Sequence, residues 1–219
     1  MRNRKEYWES VYQARASDQM SWYQLMPTTS LNLLAGLGIM SDAKIIDVGG
    51  GDSCLADYLL SEGYQDITVL DISETALERA QQRMGANANK IKWVNADITS
   101  FQPIEKYDLW HDRATFHFLT QPWEVENYLG TLQQSLVPSG AVIIGTFSEQ
   151  GSEKCSGLNI RQYSESSLTH LFSRFFERIN CITVDHETPA GVHQAFTFCS
   201  FKNRPTIKAQ SDREVLVSK

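Results

Sequence analysis

Three aspartates, Asp47, Asp71 and Asp97, follow one another at intervals of 24 and 26 residues, and each stands at or just past the end of a short β-branched run. Such an interval is about one strand-plus-helix unit. In a parallel sheet the three carboxylates therefore share the edge made by the strand C-termini, where sheets of this kind bind ligands. Asp47 precedes Gly49-Gly50-Gly51, whose missing side chains let backbone approach a ligand closely. Asp71 closes the run from Ile67 to Leu70 and can accept both hydroxyls of a ribose. Asp97, in Asn95-Ala96-Asp97-Ile98, can accept from an exocyclic amine such as adenine N6. Singly, each acid would serve as a helix cap or turn former. In register, they imply an adenosine laid across three neighbouring strand ends.

The elements that must position these acids are legible as alternating strands and helices from Lys44 onward. Strands are expected at Ile45 to Val48, Ile67 to Leu70, Ile91 to Val94, Tyr107 to Trp110 and Ala141 to Phe147. A final pair, Arg178 to Val184 and His193 to Phe201, flanks the turn-rich Thr188-Pro189-Ala190-Gly191 and reads as an antiparallel hairpin. Helices are expected over residues 53–62, from Ser73 to Met84, from Glu124 to Leu136 and from Ser164 to Phe172, with Ser73 and Ser164 as N-caps. Pro138 and Gly140 should stop the third of these. Ahead of the sheet, Lys5 to Arg15 is amphipathic, with Tyr7, Trp8, Val11 and Tyr12; the pair Trp22-Tyr23 and a helix from about Ser30 follow. This gives a helical cap over residues 1–40, a sheet domain over 41–203 and a polar tail over 204–219. The fold class is doubly wound α/β, a mostly parallel sheet with helices on both faces, and Trp22 is expected to fold over the bound ligand.

With 219 residues the chain suits one large domain, and its net charge of −6 speaks against a broad electrostatic grip on nucleic acid. No apolar run approaches bilayer length, and the N-terminus lacks a secretory signal, so no membrane partner is expected. The scattered cysteines Cys54, Cys155, Cys181 and Cys199 read as reduced thiols in a cytoplasmic protein. His111, His117 and His186 have no compact ligand spacing, so no metal is expected.

The run Ile45-Ile46-Asp47-Val48-Gly49-Gly50-Gly51-Asp52-Ser53 resembles motif I of the class I S-adenosylmethionine (SAM)-dependent methyltransferases. Asp71, Asn95-Ala96-Asp97, Tyr107-Asp108-Leu109 and Leu136-Val137-Pro138-Ser139-Gly140 match later landmarks. Ser53 and Ser139 depart from the pattern, standing where glycines are usual. The resemblance implies a seven-stranded sheet in the order 3-2-1-4-5-7-6 and SAM as cofactor. It sets Asp47 and Gly49, Gly50 and Gly51 near the methionine part, Asp71 at the ribose and Asp97 at the adenine, with Trp22, Ile72, Ile98 and His111 as further cofactor-binding residues. It also turns the end of the fourth strand toward the methyl group. His111 and Asp112 then become the candidate catalytic residues: Asp112 to hold an acceptor amine, His111 nearer the cofactor's amino-acid end. Asp112 could equally pair with Arg113 or cap the next helix.

Two other readings compete. In a nicotinamide-dependent oxidoreductase the third fingerprint glycine would fall at Cys54, and Asp47 would repel a pyrophosphate, whereas it suits a cationic sulfonium and ammonium. A non-catalytic subunit that binds SAM or S-adenosylhomocysteine (SAH) would carry the same motifs. For the acceptor, residues 111–119 lack the [DN]-P-P-[YF] signature of many amide and base methylating enzymes. The run Asp112-Arg113-Ala114-Thr115-Phe116 is similar to one in methyltransferase-like protein-lysine methyltransferases, as are Tyr7-Trp8 and Ser21-Trp22-Tyr23. A protein lysine and a small molecule both remain open as acceptor. The loop from Ser148 to Arg161 is long enough to be an acceptor lid or a structured surface loop.

Overall fold

The computed structural model describes residues 3–204. Its main sheet has seven strands: β1 (Lys44–Val48), β2 (Asp66–Asp71), β3 (Ile91–Asn95), β4 (Tyr107–Arg113), β5 (Leu136–Phe147), β6 (Phe176–Glu187) and β7 (His193–Asn203). The order is 3-2-1-4-5-7-6, as expected. β1 to β5 run parallel, and β7 lies antiparallel to both β5 and β6. The tail, from residue 205 on, lies outside the described residues.

Period-two alternation along the central strands builds two cores, one on each face. Ile46, Val48, Trp110, Val142 and Ile144 pack on α5 (Pro122–Ser135) and α6 (Glu165–Phe172) through Val125, Tyr128, Leu129, Leu132, Leu168 and Phe172. Their neighbours Ile45, Leu109 and Ile143 face the opposite layer. There they meet Leu34 of α2 (Thr28–Gly36), Leu55 and Leu59 of α3 (Leu55–Ser61) and Leu77 of α4 (Glu74–Met84). Ser73 caps α4 by accepting from the Ala76 amide at 3.2 Å, and Ser164 caps α6 through the Ser167 amide at 3.2 Å.

Two expectations are corrected here. β5 begins at Leu136, not Ala141: Leu136 pairs with Tyr107, the next residues loop out, and pairing resumes at Ala141 with Leu109. Ser139 sits in that loop at φ 68°, the conformation the usual glycine would adopt freely. The second correction concerns the thiols. Cys181 and Cys199 lie directly opposite in the β6–β7 pairing and form a disulfide, while Cys54 and Cys155 are free and buried. Among the described residues no helix is long and apolar enough to cross a membrane.

The first helix, α1 (Arg4–Ala14), lies across the C-terminal edge of the sheet, against α4. Glu9 reaches the N-terminus of α4 and accepts from the Glu74 and Thr75 amides and the Ser73 hydroxyl, at 2.6, 3.2 and 3.1 Å. A carboxylate there meets unpaired amides and the positive end of the helix dipole. Arg4 pairs with Glu124, and the Tyr7 hydroxyl donates to the Ser156 carbonyl. That carbonyl belongs to the loop after β5, which carries its own short ladder, Lys154–Cys155 against Leu158–Asn159.

Candidate cofactor site

A cavity of about 710 Å³, counted out to its mouth, opens along this edge. Its floor is Gly49, Leu70, Asp71, Ile72, Ala96, Asp97 and Ile98, and Trp8, Tyr12, Trp22 and Phe118 stand among its other walls. The expected acids are thus brought to one edge. Asp71 accepts from the Ser73 amide at 2.8 Å and is 5% exposed. Burial, reinforced by the negative charges of Asp52 and Asp47, pushes its carboxyl up to about 7 against the amide bonds from Ser73 and Gly51. Asp97 turns Oδ1 to the Thr99 amide and hydroxyl, at 2.9 and 2.7 Å.

Asp47 opens on a second cavity of about 510 Å³, which shares the walls Tyr12, Trp22, Gly49 and Arg113 with the first. Its Oδ1 lies 2.7 Å from His111 Nδ1, and His111 Nε2 lies 2.8 Å from the Ser30 hydroxyl, all three residues being buried. Both ring nitrogens of His111 are therefore engaged by the protein.

Between these acids the glycine turn leaves no room for side chains. A Cβ on Gly51 would lie 2.6 Å from the Tyr12 hydroxyl and 3.1 Å from Asp71 Oδ2, and one on Gly50 would lie 2.6 Å from Asp47 Oδ2. Gly49, at φ 66°, would place a Cβ 1.6 Å from Thr115 Oγ1.

Asp112 is not brought to either cavity. Strand alternation puts Leu109, His111 and Arg113 on one face of β4 and Trp110 and Asp112 on the other. Asp112 is 0% exposed and accepts from the Thr115 and Phe116 amides at 3.0 and 3.2 Å and from the Tyr128 hydroxyl at 2.7 Å. Its place is that of a cap beneath the turn after β4, which corrects the expectation that it holds an acceptor. Among the lining residues not expected as site residues from the sequence are Arg4, Trp8, Tyr12, Arg113, Thr115, Phe118, Leu119 and Cys155. Arg113 could have been found from the alternation that links it to His111, and Tyr12 from its helical spacing with Trp8.

Residues 45–140 match a family model described as a methyltransferase domain. This stretch, which holds Asp47, the glycine turn, Asp71 and Asp97, is a methyltransferase domain by that match. It is 28% identical over 141 residues to the eEF1A lysine and N-terminal methyltransferase of Bos taurus, a match covering 63% of this chain and 20% of that protein. It is 32% identical over 108 residues to the malonyl-[acyl-carrier protein] O-methyltransferase of Anoxybacillus flavithermus, covering 48% and 39%. The chain thus spans about a fifth and about two fifths of these relatives' lengths. In fold it is similar to the 1,6-didemethyltoxoflavin-N1-methyltransferase of Burkholderia thailandensis, solved with its substrate and SAH. The TM-score is 0.71 at 21% identity, over 92% of this chain and 87% of that one.

The methyltransferase site fits SAM. Its three carboxylates suit a ligand with hydroxyls, an amine and a cationic end, and the glycine turn is bare where a Cβ would strike Asp71 or Asp47. A direct test of that turn is Gly49→Ala. The left-handed φ and the overlap with Thr115 together should cost about 2–4 kcal/mol in urea unfolding. Adding Thr115→Ala removes the 1.6 Å overlap with Oγ1 but leaves Cβ at 2.8 Å, so it should recover only part of the loss. An unchanged unfolding midpoint in the single variant would show that the turn relaxes freely.

Proposed function

We propose that this protein transfers the methyl group of SAM to a nucleophile on a compact acceptor, a small molecule in preference to a protein side chain. One observation carries the preference. The walls beside the cofactor floor include Trp8, Trp22, Phe118 and Cys155, with Trp8 and Phe118 packed edge to face at 4.9 Å between ring centres. Apolar walls of this kind suit a small body and limit the water around it.

SAM, when bound, supplies a methyl group already activated by its sulfonium. The tasks left to this chain are binding and alignment. Asp71 accepts from the ribose hydroxyls, Ile72 and Ile98 hold the adenine with Asp97 at its amine, and Asp47 faces the positive charge of the amino-acid end. His111, tied to Asp47 and Ser30, acts as a positioning residue that fixes the Asp47 carboxylate. With Asp112 buried under its own turn, no carboxylate of β4 is offered as a general base. The favoured acceptor therefore arrives with a free electron pair.

A lysine side chain is the second reading. The run from Asp112 to Phe116 and the match to the eEF1A lysine and N-terminal methyltransferase favour it. Incubation of the protein with methyl-tritiated SAM and a cell extract, against extract alone, followed by ultrafiltration and chromatography of the filtrate away from unreacted SAM, separates the readings. Label should appear in a new small-molecule product; label transferred only to retained protein would replace our reading with the second. Binding of SAH with no label beyond that of SAM itself in either fraction would favour a non-catalytic subunit.

A further inference from the structure

Among the described residues, one charged group at the cavity forms no ion pair. Arg113 ends β4 and lines both cavities. Its Nη1 donates to the Trp22 carbonyl at 2.8 Å, and its guanidinium lies 5.3 Å from the centre of the Phe196 ring. Nη2 is buried and, among the described residues, meets no hydrogen-bond acceptor. Burial lowers the guanidinium to about 10, so it stays charged at neutral pH. A buried, charged donor without a partner is costly to a fold. Such a donor belongs where a ligand brings the acceptor.

The chemistry of the cofactor says which acceptor, and this step rests on the SAM reading above. SAM carries a sulfonium, an ammonium and hydroxyls, all matched by the acids at the strand ends, and it carries one anion, its α-carboxylate. The acids Asp47, Asp71 and Asp97 would repel that group. Arg4 and Arg113 are the arginines on the walls of the two cavities, and Arg4 is already paired with Glu124 and turned toward Asp97. Arg113 stands instead beside the glycine turn, on the same strand face as His111, with Asp47 the carboxylate whose charge it feels most. We propose that Arg113 binds the α-carboxylate of SAM through its free Nη2, so that Asp47 and Arg113 together recognise the zwitterionic end of the cofactor.

Isothermal titration of the full chain with SAH and with 5′-methylthioadenosine tests this, because the second ligand keeps the adenosine and thioether but has no amino-acid carboxylate. Arg113→Met should weaken SAH by about tenfold or more, the usual effect of losing a charge-assisted hydrogen bond, and leave methylthioadenosine within about twofold of the parent. Arg113→Lys, which keeps the charge without the planar fork, should fall between and serves the same comparison if the methionine variant does not fold. Unchanged SAH affinity in Arg113→Met would overturn the proposal and turn the free donor toward an anionic acceptor. Equal losses for both ligands would also overturn it, leaving Arg113 as a strut for the Trp22 loop. If the parent protein binds neither ligand, the SAM reading itself fails.

Discussion

Asp71→Ala should bind SAH about tenfold or more weakly than the parent, because a buried carboxylate that accepts from a ribose contributes on the order of 1.5–3 kcal/mol. The same residue should make affinity depend on pH. Burial, with Asp52 and Asp47 nearby, lifts the Asp71 carboxyl to about 7 in the cofactor-free protein. Hydroxyl donors favour its ionised form. Below about pH 7 the proton must leave before the diol can bind, so SAH affinity should fall up to about tenfold per pH unit. Above that it should level off. The stability of the cofactor-free protein carries the matching sign. The folded pKa exceeds the unfolded value near 4, so this group's contribution is full below about pH 4 and is lost as pH rises through about 7. Titration calorimetry of the parent and Asp71→Asn between about pH 5.5 and 8 checks the affinity claim, and urea unfolding of both without cofactor over the same range checks the stability claim. A parent affinity that stays flat over that range, or a slope that survives in the asparagine variant, would place the ribose elsewhere.

Asp112→Ala should be strongly destabilising while sparing the chemistry. It strips acceptors from the Thr115 and Phe116 amides and from the Tyr128 hydroxyl, which in turn accepts from Trp110 Nε1 at 2.8 Å. At about 1 kcal/mol or more for each buried donor left without a partner, the loss is roughly 3 kcal/mol or more, or about 6–12 °C in Tm for a domain of this size. Asp112→Asn should cost less. Its carboxamide oxygen still serves the two amides, but its NH2 now faces a hydroxyl that has lost its acceptor. Thermal unfolding measures these losses, and initial rates with SAM at a temperature where the variants are folded measure the rest. Wild-type stability combined with a large fall in rate would return Asp112 to the mechanism.

The contrast between Asp71 and Asp112 marks what the sequence could carry. Asp47, Asp71 and Asp97 were legible because each closes a strand of a parallel sheet, and topology alone brings such ends together. The helix caps at Ser73 and Ser164 and the terminal hairpin followed from local patterns, whereas the strand order came only through the family resemblance. Asp112 and Arg113 stand side by side in the chain, yet alternation sends them to opposite faces, and which face looks toward the cavity is settled only by packing on α2 and α5. Cys181 and Cys199 were misread for a related reason. Their spacing of 18 carries no signature of a bond, but folding the hairpin about Thr188 to Val192 sets them opposite one another. The shared wall formed by Trp8 and Phe118 joins residues 110 positions apart and left no trace in either segment.

The anchoring of α1 bears on the order in which the molecule is assembled. Arg4, Tyr7 and Glu9 find their partners 120, 149 and 64 residues further along the chain. Contacts of that span add the most loop-closure entropy and form after local ones. During synthesis the first helix emerges with nothing to lie on until β2 and α4, then α5, and last the loop after β5 have followed it. The strand ends and the glycine turn can therefore assemble before the helix settles over them, and α1 completes its anchoring only once the loop after β5 has been made.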